Sequence, residues 1–440
     1  MAGALKIGIA GLGTVGSSLA RIITGRANEL SVTCGRAIEI TAVSARDRSR
    51  DRGVDVSGMA WFDSAEEMAA RADIDVLVEL IGGSEGPAER AVRAALDRGL
   101  HVVTANKALL ARYGVELAAL AEKKGVLLNF EAAVAGGIPV IKALRESLTG
   151  NRISRVYGIM NGTCNYILTR MEKEGLSFQD CLTEAQRLGY AEADPTFDIE
   201  GNDTAHKLAI LTTLAFGTQI AADEIYQEGI SNISIEDIEA AADLGYRIKL
   251  LGVAQQTDSG IEQRVHPTMV PRDSVIAQVD GVTNAVAIES DILGELLMVG
   301  PGAGGDATAS AVLGDIADIA KSRPGEQRVP VLGTPAAALE PYRRARMRSH
   351  EGGYFIRLTV ADRTGVFASV ATRMAENSIS LESIVQRASS TAPATEAKTI
   401  ILVTHATTEA SVRNAVTAIK AEDYLVGEPQ VIRIERPKAF

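Results

Sequence analysis

Cysteine, histidine and long apolar runs are all scarce in this chain of 440 residues, and each scarcity excludes a class of function. The three cysteines, Cys34, Cys164 and Cys181, have neither metal-ligand nor redox spacing and read as reduced, mostly buried thiols. The five histidines are too scattered to build a metal site, and only His206, beside Lys207, stands near residues with chemistry; packing or surface duty suits it as well. No stretch of eighteen apolar residues occurs, and the N-terminus runs straight into a strand without a signal-like segment, so a cytoplasmic protein with no membrane partner is expected. Basic residues are outnumbered, 45 against 56 acidic, for a net charge of −11, which argues against nucleic acid or an anionic membrane as a partner.

What is present begins at residue 5. Leu-Lys-Ile-Gly-Ile-Ala is an alternating strand, followed by Gly11-x-Gly13-x-x-Gly16 and a helix from Ser17. A second strand at Ile38–Ser44 completes a βαβ unit. Glycines at these positions turn the strand sharply and bring backbone amides at a helix N-terminus up to a pyrophosphate. The second strand ends in Ser44-Ala45-Arg46, where an NAD-selective enzyme usually has an acidic residue. Arg46 would suit a 2′-phosphate and so favours NADP over NAD, although Arg48, Arg50 and Arg52 make the same loop arginine-rich.

Strands and helices alternate up to residue 137, which specifies a mostly parallel, doubly wound sheet whose ligands sit beyond the strands' carboxyl ends. Two polar segments fall there: Thr104-Ala105-Asn106-Lys107, after the fourth strand in this reading, and Glu131 to Pro139, after the fifth. Lys107 is thus placed near the cofactor, although a lysine capping such a loop is common.

Residues 189–207 carry Glu192, Asp194, Asp198, Glu200 and Asp203, broken by Pro195 and Gly201, and then start an apolar-periodic helix. So many carboxylates cannot be buried without partners. Asp203 and Lys207 are four apart and share a helix face, which either fixes one lysine for chemistry or makes an ordinary surface ion pair. Gly300 to Thr308 opens a further helix, with glycines that allow a close approach to a ligand or form a plain turn. Residues 324–348 are rich in Pro and Arg. The last ninety residues then follow a βαββαβ pattern, with Asp362-Arg-Thr-Gly365 between the first strand and helix and a Ser/Thr/Ala loop before the third strand.

The ordered motifs Gly-Leu-Gly-Thr-Val-Gly, Thr-Ala-Asn-Lys-Ala, Glu-Ala-Ala-Val-Ala-Gly-Gly-Ile-Pro, Asn-Gly-Thr-x-Asn-Tyr-Ile-Leu, Gly-Tyr-Ala-Glu-Ala-Asp-Pro and Asp-Ile-Glu-Gly-x-Asp-x-x-His-Lys resemble the homoserine dehydrogenases, in the monofunctional form with a C-terminal ACT domain. No aspartate kinase module precedes the glycine loop. The resemblance implies an α/β chain of three units. These are a Rossmann-type nucleotide-binding domain at 1–137 to which a helix at 306–320 returns, an α+β substrate and dimerisation domain at 138–305, and a ferredoxin-like ACT domain at 351–440 behind a linker at 321–350.

It also implies NAD(P)-dependent interconversion of L-aspartate 4-semialdehyde and L-homoserine, in threonine, methionine and isoleucine biosynthesis. Lys207 would be the proton donor, Lys107 would sit near both ligands, and Glu192 and Asp203 would hold the substrate ammonium with Asp198 in support. Gly11, Gly13, Thr14, Val15, Gly16, Arg46, Lys107 and Gly302 would bind cofactor. Glu131 with the carbonyls of Val134, Gly136 and Ile138 would hold a monovalent cation, usually sodium. Asp362, Gly365 and Val366 would receive an amino-acid effector, L-threonine, in a homodimer or homotetramer; a helix-capping turn that serves only oligomerisation is the alternative.

Two other classes stay open on the residues alone. A semialdehyde dehydrogenase forming an acyl-enzyme would need a cysteine nucleophile, with Cys164 as the candidate. A non-enzymatic amino-acid sensor would leave Lys107, Glu192, Asp203 and Lys207 without a role.

Overall fold

The computed structural model describes residues 3–322, 329–345, 351–388 and 397–435. The N-terminal strands are β1 (Leu5–Ala10), β2 (Ile38–Ser44), β3 (Ala60–Phe62), β4 (Val76–Glu79), β5 (His101–Thr104) and β6 (Leu128–Asn129). They form one parallel sheet in the order β3-β2-β1-β4-β5-β6. The short strand β3 is an addition to the sequence reading, so the polar segments at Thr104 and Glu131 follow the fifth and sixth strands. Helix Pro87–Arg98 illustrates the local logic: proline opens it, Ala88, Ala91, Val92, Ala95 and Leu96 make one buried face, and left-handed Gly99 ends it.

Helix Gly305–Lys321 packs Val312, Ile316 and Ile319 into the same core as Ile7, Ile9 and Leu19. Its first turn is tied to the first helix of the sheet domain, where Ser18 donates to Asp306 at 2.8 Å and Arg21 pairs with it at 2.5 Å. The helix therefore belongs physically to the parallel-sheet unit.

The rest of the chain builds an eleven-stranded sheet. Its first half runs Gly294–Pro301, Thr283–Ser290, Ile153–Ile159, Tyr246–Thr257, Gly260–Pro271, with Tyr226–Gln227 paired to the last of these. The C-terminal unit has the expected βαββαβ order, with strands arranged Gln430–Ile434, Glu351–Ala361, Ala397–Thr404, Leu381–Ala388, and the short Thr407–Thr408 paired to Glu351–Ala361 as the eleventh. The two halves are continuous. Strand Gln430–Ile434 lies parallel to Gly260–Pro271, with Thr268 opposite Arg433 and Met269 opposite Ile434.

Of the stretch 321–350, residues 323–328 and 346–350 lie outside the described residues, as does the Ser/Thr/Ala loop at 389–396. Residues 329–345 lie against both helix Lys107–Lys124 of the parallel-sheet unit and the unit built on the first half of the larger sheet. Val331 and Ala336 each donate a backbone N–H to Glu122, Gln219 and Glu340 bond backbone to backbone, and Ile261 exchanges backbone bonds with Arg343 and Ala345.

Candidate active site

Three elements deliver the charged cluster. Asn106, at the end of β5, caps helix Lys107–Lys124 by accepting the Leu109 amide at 3.1 Å, and its own amide donates to the Gly83 carbonyl at 2.7 Å. Lys107 is consequently the first helical residue, where the helix dipole disfavours a cation unless an anion faces it. Asp203 faces it, with Lys107 Nζ 3.2 Å from Oδ1. Asp203 sits in the first turn of helix Asn202–Phe216, which Gly201 enters with φ +87°. One turn on, Lys207 Nζ donates to Asp203 Oδ2 at 2.7 Å and to the carbonyl of Met160, just beyond strand Ile153–Ile159, at 2.6 Å.

Asp203 is therefore a buried anion between two lysines. Burial opposes its charge, but Lys207 and Lys107 outweigh that and hold its carboxyl well below the usual carboxylate range. An ammonium has three N–H donors, and Lys207 commits two of them to Met160 and Asp203, which leaves one for a substrate oxygen. Asp198 is half-buried beside the pair; burial and the neighbouring Asp203 raise its carboxyl, opposed by Asn161 and the lysines. His206 points elsewhere. Its ring meets Phe197 edge-on at 5.4 Å, burial and Lys107 lower its pKa, and Nδ1 has no partner among the described residues.

The other predicted substrate ligand lies apart from this cluster. Glu192 is exposed, and its hydrogen bond is made through the backbone carbonyl to Gln186. Cys164 is fully buried, its thiol faces the Asp198 carbonyl at 3.2 Å, and burial together with the nearby carboxylates pushes its pKa far up. A thiol so placed is a poor nucleophile, which removes the acyl-enzyme alternative.

The glycine loop fits a dinucleotide. A side chain at Gly11 (φ +104°) would strike the Leu80 carbonyl, and one at Gly16 the Gly11 carbonyl, whereas Gly13 faces open space. These are the turn, packing and approach roles that the pattern requires. A cleft of about 690 Å³ runs from Gly11 and Gly13 to Ser44, Arg46, Arg50 and Arg52. Arg52 is engaged with the carbonyls of Leu12 and Asp47, but the exposed side chains of Arg46 and Arg50 have no partner among the described residues. Buried Glu79 orders the cleft floor, accepting the amides of Ile81 and Gly82 and the hydroxyl of Thr104. Thr14 and Val15 begin the helix behind Gly13. Gly302 is a packing position, its Cα against Asn284 and its carbonyl against Gly136; the glycine of that segment that meets the loop is Gly305, beside Thr14 and Ser18.

Around Glu131 the backbone is unusual, with Ala135 at φ +55° and Gly136 at +49°. The buried Glu131 carboxylate accepts the amides of Ile141 and Lys142, so a cation here would rest chiefly on main-chain oxygens. Among the described residues no group of three or more His, Cys, Asp or Glu is placed to hold a metal ion. In the C-terminal unit, Asp362 is partly exposed and 3.6 Å from Lys398, Gly365 is left-handed (φ +90°) at the helix start, and Val366 is buried in the unit's core.

Family models match in register with this architecture: homoserine dehydrogenase, NAD binding domain, over residues 11–131, homoserine dehydrogenase over 139–317, and ACT domain over 354–423. The chain is 46% identical to the homoserine dehydrogenase of Neisseria gonorrhoeae, covering 98% of each. The chain belongs to the homoserine dehydrogenase family. Its members are NAD(P)-dependent oxidoreductases. A homoserine dehydrogenase crystal structure from Thiobacillus denitrificans superposes with a TM-score of 0.91 at 44% identity, over 98% of each chain. A hyperthermophilic archaeal homoserine dehydrogenase in complex with NADPH superposes with a TM-score of 0.61 at 30% identity, over 71% of this chain and 96% of that one. No described helix is long and apolar enough to cross a membrane.

Two participants escaped the sequence reading. Asn161 joins the two aspartates, and Gly305 braces the glycine loop. Asn161 stood in a quoted motif, and its place just past a strand and before a helix was the available signal.

Proposed function

We propose that the chain interconverts L-homoserine and L-aspartate 4-semialdehyde with Lys207 as the proton donor and acceptor. Its pairing with Asp203, which Lys107 shares, carries this reading. When bound, the nicotinamide supplies or accepts the hydride. In the reductive direction negative charge develops on the aldehyde oxygen, and the uncommitted N–H of Lys207 lies ready to give that oxygen its proton. In the reverse direction the amine takes the proton from the homoserine hydroxyl. Asp203 fixes the ammonium's direction, and Lys107 adds a second cation on the cofactor side of the same carboxylate. Glu192 and Asp203, with Asp198 in support, are assigned to the substrate ammonium; because Glu192 lies apart here, substrate binding has to bring it in.

Arg46, supported by the equally unpaired Arg50, favours the 2′-phosphate of NADP, and the NADPH named for the archaeal relative agrees with this. The left-handed Ala135–Gly136 pair would turn the carbonyls of Val134, Gly136 and Ile138, together with Glu131, toward a hard monovalent cation, sodium, as a structural clip at the domain hinge. The substrate sheet would also form the contact of a homodimer or homotetramer, the cytoplasm is the assigned compartment, and the C-terminal unit would take L-threonine near Asp362 and Gly365. The deciding experiment is spectrophotometric: purified protein with L-homoserine and either NADP or NAD. Reduced nicotinamide should form with L-homoserine as substrate; its absence with both cofactors would defeat the assignment.

A further inference from the structure

Asn161 stands between the two aspartates of the site, and all three polar bonds of its amide are accounted for. Its Oδ1 accepts the Cys164 backbone N–H at 2.8 Å, capping helix Gly162–Glu174. That bond fixes which end of the amide carries the NH2 group. The two N–H groups of Nδ2 are thereby directed at Asp198 Oδ1, at 2.8 Å, and Asp203 Oδ2, at 2.9 Å. The residue is buried. Asp203 Oδ2 is also the atom that accepts from Lys207, and the Met160 carbonyl preceding Asn161 accepts from Lys207 as well.

We propose that Asn161 is a positioning residue for the dehydrogenase reaction: it bridges Asp198 and Asp203 so that both remain ionised at close quarters and Asp203 holds Lys207 in register. This rests on the assignment of Lys207. Two carboxylates sharing a site ordinarily retain one proton between them, because the second charge is repelled by the first. A neutral double donor placed between them removes the need for that proton. The charged and titratable groups facing the pair are Lys107, Lys207, His206 and Cys164, with Glu200 acting on Cys164 behind them. Of these, the two lysines supply positive charge, and each is required elsewhere, at the substrate or the cofactor. Asn161 thus lowers the cost of the anion pair without consuming a cation.

The test compares Asn161→Asp and Asn161→Ser in the full chain. Aspartate and serine are both good N-caps, so each variant keeps the helix start. Asn161→Asp replaces the NH2 donor with a third carboxylate oxygen, while Asn161→Ser removes the second donor and leaves one hydroxyl. The measurements are kcat and KM for L-homoserine from about pH 5 to about pH 9, with nucleotide affinity by fluorescence and thermal unfolding as controls. The expected result for Asn161→Asp is an acid limb of kcat/KM moved up by about one pH unit or more, a loss of about tenfold at neutral pH, and unchanged nucleotide affinity. Asn161→Ser should show a smaller shift in the same direction. Profiles that superimpose on the wild type in shape, whatever their height, would overturn the proposal. If Asn161→Asp fails to fold, the Asn161→Ser profile decides alone. The Lys207→Ala variant separates the two readings: if it remains active, the site assignment itself fails, whereas an inactive Lys207→Ala with an unshifted Asn161→Asp profile rejects the Asn161 role only.

Discussion

Arg357, on the first strand of the C-terminal unit, grips Asp237 of the catalytic unit with two parallel bonds, Nε to Oδ1 at 2.6 Å and Nη2 to Oδ2 at 3.0 Å. Asp237 is fully buried and at the same time closes the capping box of helix Ile235–Asp243 with Ser234. Fork-to-carboxylate geometry is the strong form of an ion pair, and removing one partner leaves the other charge buried. Arg357→Ala is therefore expected to cost about 3 kcal/mol, at the low end for a broken buried pair because the Ser234 bonds survive. Urea unfolding followed by fluorescence would measure it. A loss within about 0.5 kcal/mol, the usual size of a surface substitution, would show that the continuous sheet alone holds the units together.

Lys207→Ala should lower kcat by about 10²- to 10⁴-fold, the usual worth of a general acid, while nucleotide affinity and folding are kept. Lys107→Ala should lose both kcat and cofactor affinity, if its ammonium, 3.2 Å from Asp203, serves both ligands as proposed. Steady-state kinetics with nucleotide titration check both. If Lys107→Ala changed affinity alone, its place at the helix start would be a binding feature.

Arg46→Asp should raise KM for NADP by roughly tenfold or more, the equivalent of one charge-assisted hydrogen bond of about 1.5 kcal/mol, and change KM for NAD little. Parallel KM determinations decide this. Equal effects on the two cofactors would assign phosphate recognition to Arg50 or to neither arginine.

Local signals made much of this molecule legible. The glycine loop and the Asp203–Lys207 spacing each carry a short-range physical rule, and each reads the same way in three dimensions. Lys107 was placed by topology, but its ion pair with Asp203 depends on two helices meeting far from each other in sequence. Asn161 was harder, because Asn-Gly after a strand reads equally well as a turn. The pairing of strand Gln430–Ile434 with Gly260–Pro271 could not be read, since Gln-Val-Ile-Arg-Ile announces a strand and says nothing of its neighbour. Glu192 rests on its motif alone. Its motif names a ligand, while the structure leaves the side chain in solvent.

The seam between the units should lose stability in acid. Burial alone would raise the Glu409 carboxyl, but Arg433 and Arg264 outweigh burial and bring it down to about 2 from its ordinary 4.5. A carboxyl depressed in the folded state stabilises fully above its unfolded pKa and loses that contribution as pH falls through the folded one. Stability from this group should therefore be complete above about pH 4.5 and disappear toward about pH 2. Glu409→Gln should be less stable than the wild type at neutral pH, with the gap closing across that window. Chemical denaturation at several pH values gives the comparison, and a gap independent of pH would assign the loss to packing.

Removing the C-terminal unit would be a poor test of regulation, because it strips Glu409 from buried Arg264, Glu435 from buried Arg155 and a whole strand from the edge at Gly260–Pro271. A point change at the proposed effector turn avoids that damage. Asp362→Ala removes an exposed carboxylate whose neighbour is Lys398 at 3.6 Å, and it touches neither the unit's core nor the seam. Wild-type activity should fall on titration with L-threonine, with a coupling of about 1–3 kcal/mol between effector and substrate. Asp362→Ala should keep uninhibited activity and need a much higher threonine concentration for the same loss. Unaltered inhibition in Asp362→Ala would move the effector away from this turn. If threonine instead competes with L-homoserine in both proteins, it binds at the Lys207 site; if it inhibits neither, the C-terminal unit serves assembly.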